Sequence, residues 1–154
     1  KGTYRRLRGR KALINPVSAV QSSVTADLDQ NPPKRKVRAA LANNPSLSST
    51  VQQTLAQNQS KWVRAVLAGN PSLTSTMQQT LAQDQDEWVR SNLASNPSLS
   101  SEAAQQTLAQ DPNKWVRKAL ASNPCLSSTV QQILAQDQDE GVRRLLRQTF
   151  AADR

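Results

Sequence analysis

This 154-residue chain has no histidine, one cysteine, four glycines and five aromatic residues. Without histidine it lacks the side chain that most often moves protons near neutral pH and that most often binds a metal. The lone thiol, Cys125, excludes an intramolecular disulfide and fits a reducing compartment, so the expected location is cytoplasmic. Among so few glycines there is no Gly-rich phosphate loop. No apolar run nears the roughly 20 residues of a spanning helix, and no signal-peptide hydrophobic segment is visible. Residue 1 is Lys rather than Met, so the chain reads as a trimmed or processed piece of something longer. A composition 36% hydrophobic and 3% aromatic is thin for a compact globule, though sufficient for a core drawn out into a narrow seam.

What the chain has is repetition. Trp62-Val63-Arg64, Trp88-Val89-Arg90 and Trp115-Val116-Arg117 recur at steps of 26 and 27 residues, and Val37-Arg38 and Val142-Arg143 extend the series. A period of this length marks stacked units, each too small to bury its own apolar face. The expected organisation is a basic tail over 1–7, a weakened N-terminal repeat over 8–35, four full units (36–61, 62–87, 88–114 and 115–140) and a C-terminal half-repeat cap over 141–154.

Within the unit 62–87, Val63, Val66, Leu67 and Asn70 fall on one face of a short helix. Asn70-Pro71 stops that helix near Gly69 or Asn70, because proline lacks an amide donor and turns the preceding residue away from helical dihedrals. The same stop recurs at Asn44-Pro45, Asn96-Pro97 and Asn123-Pro124. Leu73, matched by Leu47, Leu99 and Leu126, is an isolated apolar residue in a tight, 3₁₀-like connection and is expected to plug the core. Ser75 followed by Gln78 reads as a capping box, repeated as Ser49/Gln52 and Ser128/Gln131, opening a second helix. Its buried pair is Met77 and Leu81, equivalent to Val51/Leu55, Ala104/Leu108 and Val130/Leu134. The third unit carries one extra residue between Leu99 and Leu108, expected as a bulge before its second helix. Gly141 replaces the tryptophan of the last unit, where Val142 to Phe150 form the cap. No segment reads as a strand, and the fold class is an all-α helical-repeat solenoid.

The pattern VRxxLAxNPxL followed by a short helix ending in LAQD resembles the leucine-rich repeat variant family, well over residues 36–147 and loosely over 8–35, with a broader likeness to HEAT-like helical repeats. The resemblance implies units pairing an α-helix with a 3₁₀ helix, stacked into a right-handed superhelix without a β-sheet. Some relatives carry an N-terminal cysteine cluster holding an iron–sulfur centre. Such a centre needs four thiolates and this chain has one, so the implied cluster does not carry over. Cys125 stands where Ser46, Ser72 and Ser98 stand and reads as a substituted serine.

Four features bear on function. Trp62, Trp88 and Trp115 sit beside the buried stripe, either as an aromatic ladder for a peptide or for bases, or as packing between adjacent first helices. At the 8–10 Å spacing of packed helices, successive indoles stand too far apart for consecutive bases to stack on them. Arg38, Arg64, Arg90, Arg117 and Arg143 could line up phosphates, but Asp84, Asp111 and Asp137 run beside them with the same period, Asn58 taking the equivalent place. A structural Arg–Asp ladder is the simpler reading. Charge is uneven: residues 1–38 hold ten Lys/Arg against two Asp, whereas 39–154 hold ten against nine Asp/Glu. The basic end, which also holds Tyr4, could dock phosphate, an acidic protein face or anionic lipid, or be a solvated tail.

Nothing in the chain assembles a catalytic, cofactor or metal site; HEAT-like DNA glycosylases make enzyme only a likeness of fold. The expectation is a non-enzymatic protein-binding scaffold, with contact residues Trp62, Trp88, Trp115, Arg5, Arg6, Arg8, Lys34, Arg35 and Lys36. The alternative is a nucleic-acid-binding module using residues 1–38.

Overall fold

The computed structural model describes residues 35–151. The expected tail (1–7), all but the last residue of the weakened repeat (8–35) and the contact residues Arg5, Arg6, Arg8 and Lys34 lie outside that range, as do the side chains of Arg35 and Lys36.

The described residues are all-α, with no strand among them. Nine helices alternate: α1 (Arg35–Ala42), α2 (Ser49–Ala56), α3 (Lys61–Ala68), α4 (Ser75–Ala82), α5 (Glu87–Ala94), α6 (Glu102–Ala109), α7 (Lys114–Ala121), α8 (Ser128–Ala135) and α9 (Glu140–Phe150). The odd-numbered helices pack on one another in sequence, and α2, α4, α6 and α8 do the same beside them, which makes a helical repeat. All but α9 are eight residues long. Two turns of helix are marginal in isolation, so each survives through its neighbours.

The Asn-Pro pairs set where the first helices end. The first helices of the four full units end at Ala42, Ala68, Ala94 and Ala121, each two residues before Asn-Pro. No described residue has positive φ, and Gly69, at the C-cap, has φ −81°, so these ends need no left-handed glycine. The connection closes through i→i−3 backbone bonds such as Asn70 N to Leu67 O, without a 3₁₀ helix of its own, and the second member of each unit is α. Units also begin one residue earlier than the Trp frame, at Lys61, Glu87, Lys114 and Glu140.

The second helices start differently from the expected capping box. Their N-caps are Ser48, Thr74, Ser101 and Ser127, whose hydroxyls accept from Val51, Met77, Ala104 and Val130 amides. Ser49, Ser75 and Ser128 are already inside the helix. The glutamine that looked like the box's return partner therefore sits one position further on; Gln52 and Gln78 turn into the core, while Gln131 is half-buried.

The extra residue of the third unit is Ser100. Leu47, Leu73 and Leu126 precede their N-caps directly, whereas Ser100 separates Leu99 from Ser101, and α6 keeps its eight residues. The expected bulge before the second helix is there.

The core is the expected one. Leu47, Leu73, Leu99 and Leu126 are buried, as are the pairs Val51/Leu55, Met77/Leu81, Ala104/Leu108 and Val130/Leu134. One position differs: Val66 is half-buried while Ala65 is buried, because α3 has a first helix on each side and hides its flank against them.

Candidate interaction surface

Three sets of polar side chains join successive units: Asn and Gln bond to backbone, and Arg bonds to both carboxylate and backbone. Asn70 Nδ2 donates to the carbonyls of Ala42 and Asn44 in the preceding unit, at 2.6 and 2.8 Å. Asn96 does the same to Ala68 and Asn70, and Asn123 to Ala94 and Asn96. Each Asn also accepts from the amide two residues on, which shapes the turn at the proline. These asparagines are buried, and every buried polar atom they carry is matched. The sequence flagged them as helix stops; their reach into the preceding unit had no local signal.

Glutamines bond the opposite way along the chain. Gln52 donates to its own loop at Leu47 O and to Ser72 O of the next unit, and its Oε1 accepts from Thr74 N. It thus grips both sides of the extended residue Leu73. Gln78 grips Leu99 between Ser98 O and the amides of Ser100 and Ser101, which accommodates the extra residue. Gln105 grips Leu126 between Cys125 O and Ser127 N.

The Arg–Asp ladder is present. Arg64 meets Asp84 through two bonds of 2.6 and 3.1 Å, Arg90 meets Asp111 at 2.5 and 3.2 Å, and Arg117 meets Asp137 at 2.7 and 3.2 Å. The remaining guanidinium nitrogen donates backward to Asn58, Asp84 or Asp111 carbonyl oxygen, so each Arg ties two successive inter-helix turns. Hydrogen bonding to the carboxylate, against the opposing pull of burial, holds all three guanidinium groups above their ordinary pKa. Arg143 donates to the Asp137 carbonyl and to Glu140. Arg38 is the exception: its buried Nε has no hydrogen-bond partner, and the aspartate position of its unit is Asn58.

On this base stand the tryptophans. Trp62, Trp88 and Trp115 are 45%, 39% and 63% exposed, each in the first turn of α3, α5 or α7. Trp62 and Trp88 are also in contact with each other, as inter-helix packing would have them. Their ring centroids lie 5.0 Å apart at an interplanar angle of 43°. The expected separation of a full helix spacing is corrected there, because long side chains on neighbouring helices can lean across the gap between axes. Rings already in contact leave no slot for a base to enter.

Trp115 has a different setting. Lys118 Nζ lies 4.7 Å and Lys114 Nζ 5.6 Å from its ring centroid, a cation–π arrangement. Lys118 also reaches Asp139 at 3.4 Å, and Lys61 reaches Asp86 at 3.1 Å. Gly141 occupies the tryptophan position of the last unit, and a Cβ there would lie 2.6 Å from Lys118 Cε. The missing side chain is what lets this lysine cross to Asp139.

Cys125 is exposed, and its thiol donates to the Pro97 carbonyl at 3.0 Å, as the Ser72 hydroxyl does to Pro45. It fills a serine's role. No described helix is long and apolar enough to cross a membrane, and no group of three or more potential metal ligands occurs among the described residues. Comparison with known protein families, curated proteins and solved structures finds no match to this chain.

Proposed function

We propose that this chain is a non-enzymatic protein-binding scaffold, a right-handed helical solenoid of the leucine-rich repeat variant kind. In this reading Trp62, Trp88 and Trp115 meet the partner protein, and Arg5, Arg6, Arg8, Lys34, Arg35 and Lys36 add electrostatic docking. The observation that carries it is the row of three exposed indoles on helices pinned by bonded Asn, Gln and Arg side chains. Large aromatic side chains on a rigid base lose little entropy on binding and supply much of the energy at protein interfaces.

Changing Trp62, Trp88 and Trp115 together to Ala tests it. A partner protein retained by the immobilised chain is expected to be lost from the triple variant while far-UV helicity stays unchanged. Loss of helicity would assign the indoles to packing instead.

A second reading, nucleic-acid binding, is favoured by the ten Lys/Arg within residues 1–38. The repeat body adds little to it, because Arg64, Arg90 and Arg117 are committed to aspartates. Binding to a DNA duplex would then weaken with salt at a slope of about 0.9 per neutralised phosphate, and vanish when Arg5, Arg6, Arg8 and Lys34 are changed to Gln. Salt-insensitive or absent binding removes this reading.

A further inference from the structure

The inter-unit glutamines are not all used alike among the described residues. Gln52, Gln78 and Gln105 each use one side-chain N–H on their own loop and the rest of the amide on the next unit. Gln131, the fourth of the series, donates to its own Leu126 carbonyl at 3.1 Å, and its Oε1 has no partner among the described residues. Thr149-Phe150 stands where Asn123-Pro124 stands one unit earlier. Without the Asn-Pro stop, α9 runs on to eleven residues. A groove of about 560 Å³ results between α8 and α9, lined by Gln131, Ala135, Leu146, Arg147 and Phe150 among others.

We propose that this groove is a peptide clamp. Its occupant is a segment of a partner protein with an extended residue–leucine–residue stretch leading into a short amphipathic helix. Gln131 holds the stretch as the three internal glutamines hold Leu73, Leu99 and Leu126: its N–H takes the carbonyl before the leucine and its Oε1 takes the amide after it. The helix lies along α8 as each even-numbered helix lies along the one before it. The groove continues an interface the chain builds three times internally, so the chemistry of the occupant is read from those copies. The inference is independent of the tryptophan row.

The test is an NMR titration of the isotope-labelled full chain with a synthetic peptide of residues 70–82. Saturable shifts of the Gln131 side-chain amide and of the Leu146 and Phe150 backbone amides are expected at millimolar peptide or below. Replacing Leu73 of the peptide by Ser, or Gln131→Ala in the chain, should weaken binding about tenfold. Ala135→Lys, an exposed substitution that obstructs the groove and leaves the core alone, should do at least as much while the free chain's spectrum stays folded. No shift up to several millimolar peptide overturns the proposal, as does binding indifferent to the leucine or to Ala135→Lys. Broadening of the same signals with chain concentration alone would assign the groove to a second copy and also overturn it.

Discussion

Each inter-unit asparagine combines two tasks that the sequence displays as one. Asn96 Oδ1 shapes its own turn through the Ser98 amide, while Nδ2 satisfies the Ala68 and Asn70 carbonyls of the unit before. The turn is legible because Asn-Pro is a local signal. The long reach is not, because a buried amide between units looks the same in sequence as an exposed one in a loop. Asn44 shows the contrast: it is exposed, and its Oδ1 accepts locally from Ser46 N. Asn96→Ala strands two buried carbonyls and is expected to cost ~2–4 kcal/mol in urea unfolding, whereas Asn44→Ala should cost under ~1. Equal losses at the two sites would deny the inter-unit role. Arg38 offers the reverse experiment. Asn58→Asp would place a carboxylate at the position that Asp84, Asp111 and Asp137 occupy, and is expected to add ~1 kcal/mol and raise Tm by a few degrees. An unchanged melt would mean that this carboxylate does not reach the unpartnered Nε.

Among the elements, the apolar spacing and the proline stops make the number, type and order of helices readable before any coordinates. The starts of the second helices are less so. A run such as Leu-Ser-Ser-Thr offers three adjacent caps, and the choice among them falls to burial: capping at Ser48 rather than Ser49 points Gln52 inward, where it can grip Leu73. Long-range satisfaction of a buried amide decides a boundary that local propensity leaves open. Ser100 is where this can be tried. Gln78 Oε1 accepts from both Ser100 and Ser101 amides, so it can hold either register. Deleting Ser100 should leave helicity intact and change stability by less than ~1 kcal/mol, close to the cost of Ser101→Ala at the cap. A collapse of helical signal on deletion would show that the third unit depends on its extra residue. The indole contact at 5.0 Å lay beyond sequence reasoning because helix spacing constrains axes rather than the tips of long side chains.

For the molecule as a whole, the charges that bear on pH are carboxylates. At Asp86 burial pushes the pKa up, but Lys61 and the Trp88 and Val89 amides outweigh it; at Asp139 the Val142 amide and Lys118 do the same. Glu140 is lowered chiefly by hydrogen bonds from Arg147 and Arg143. Carboxyls with depressed folded pKa stabilise above their ordinary values of 3.8 and 4.5, and that stability is lost as pH falls through the folded values. With no histidine in the chain, melts should be nearly level from about pH 8 to pH 5 and drop below about pH 4. A transition centred near pH 6.5 would contradict this account.

The stack also has a grain: Asn reaches backward and Gln forward, and both take hold of main-chain atoms that every unit possesses. Recognition between neighbours is therefore blind to which unit stands next door. Unequal exchange between the tandem segments of the gene would splice one unit to another without mismatching a single bond of this kind. Such a chain can be lengthened or shortened by inheritance in whole steps without losing the bonds that join one unit to the next.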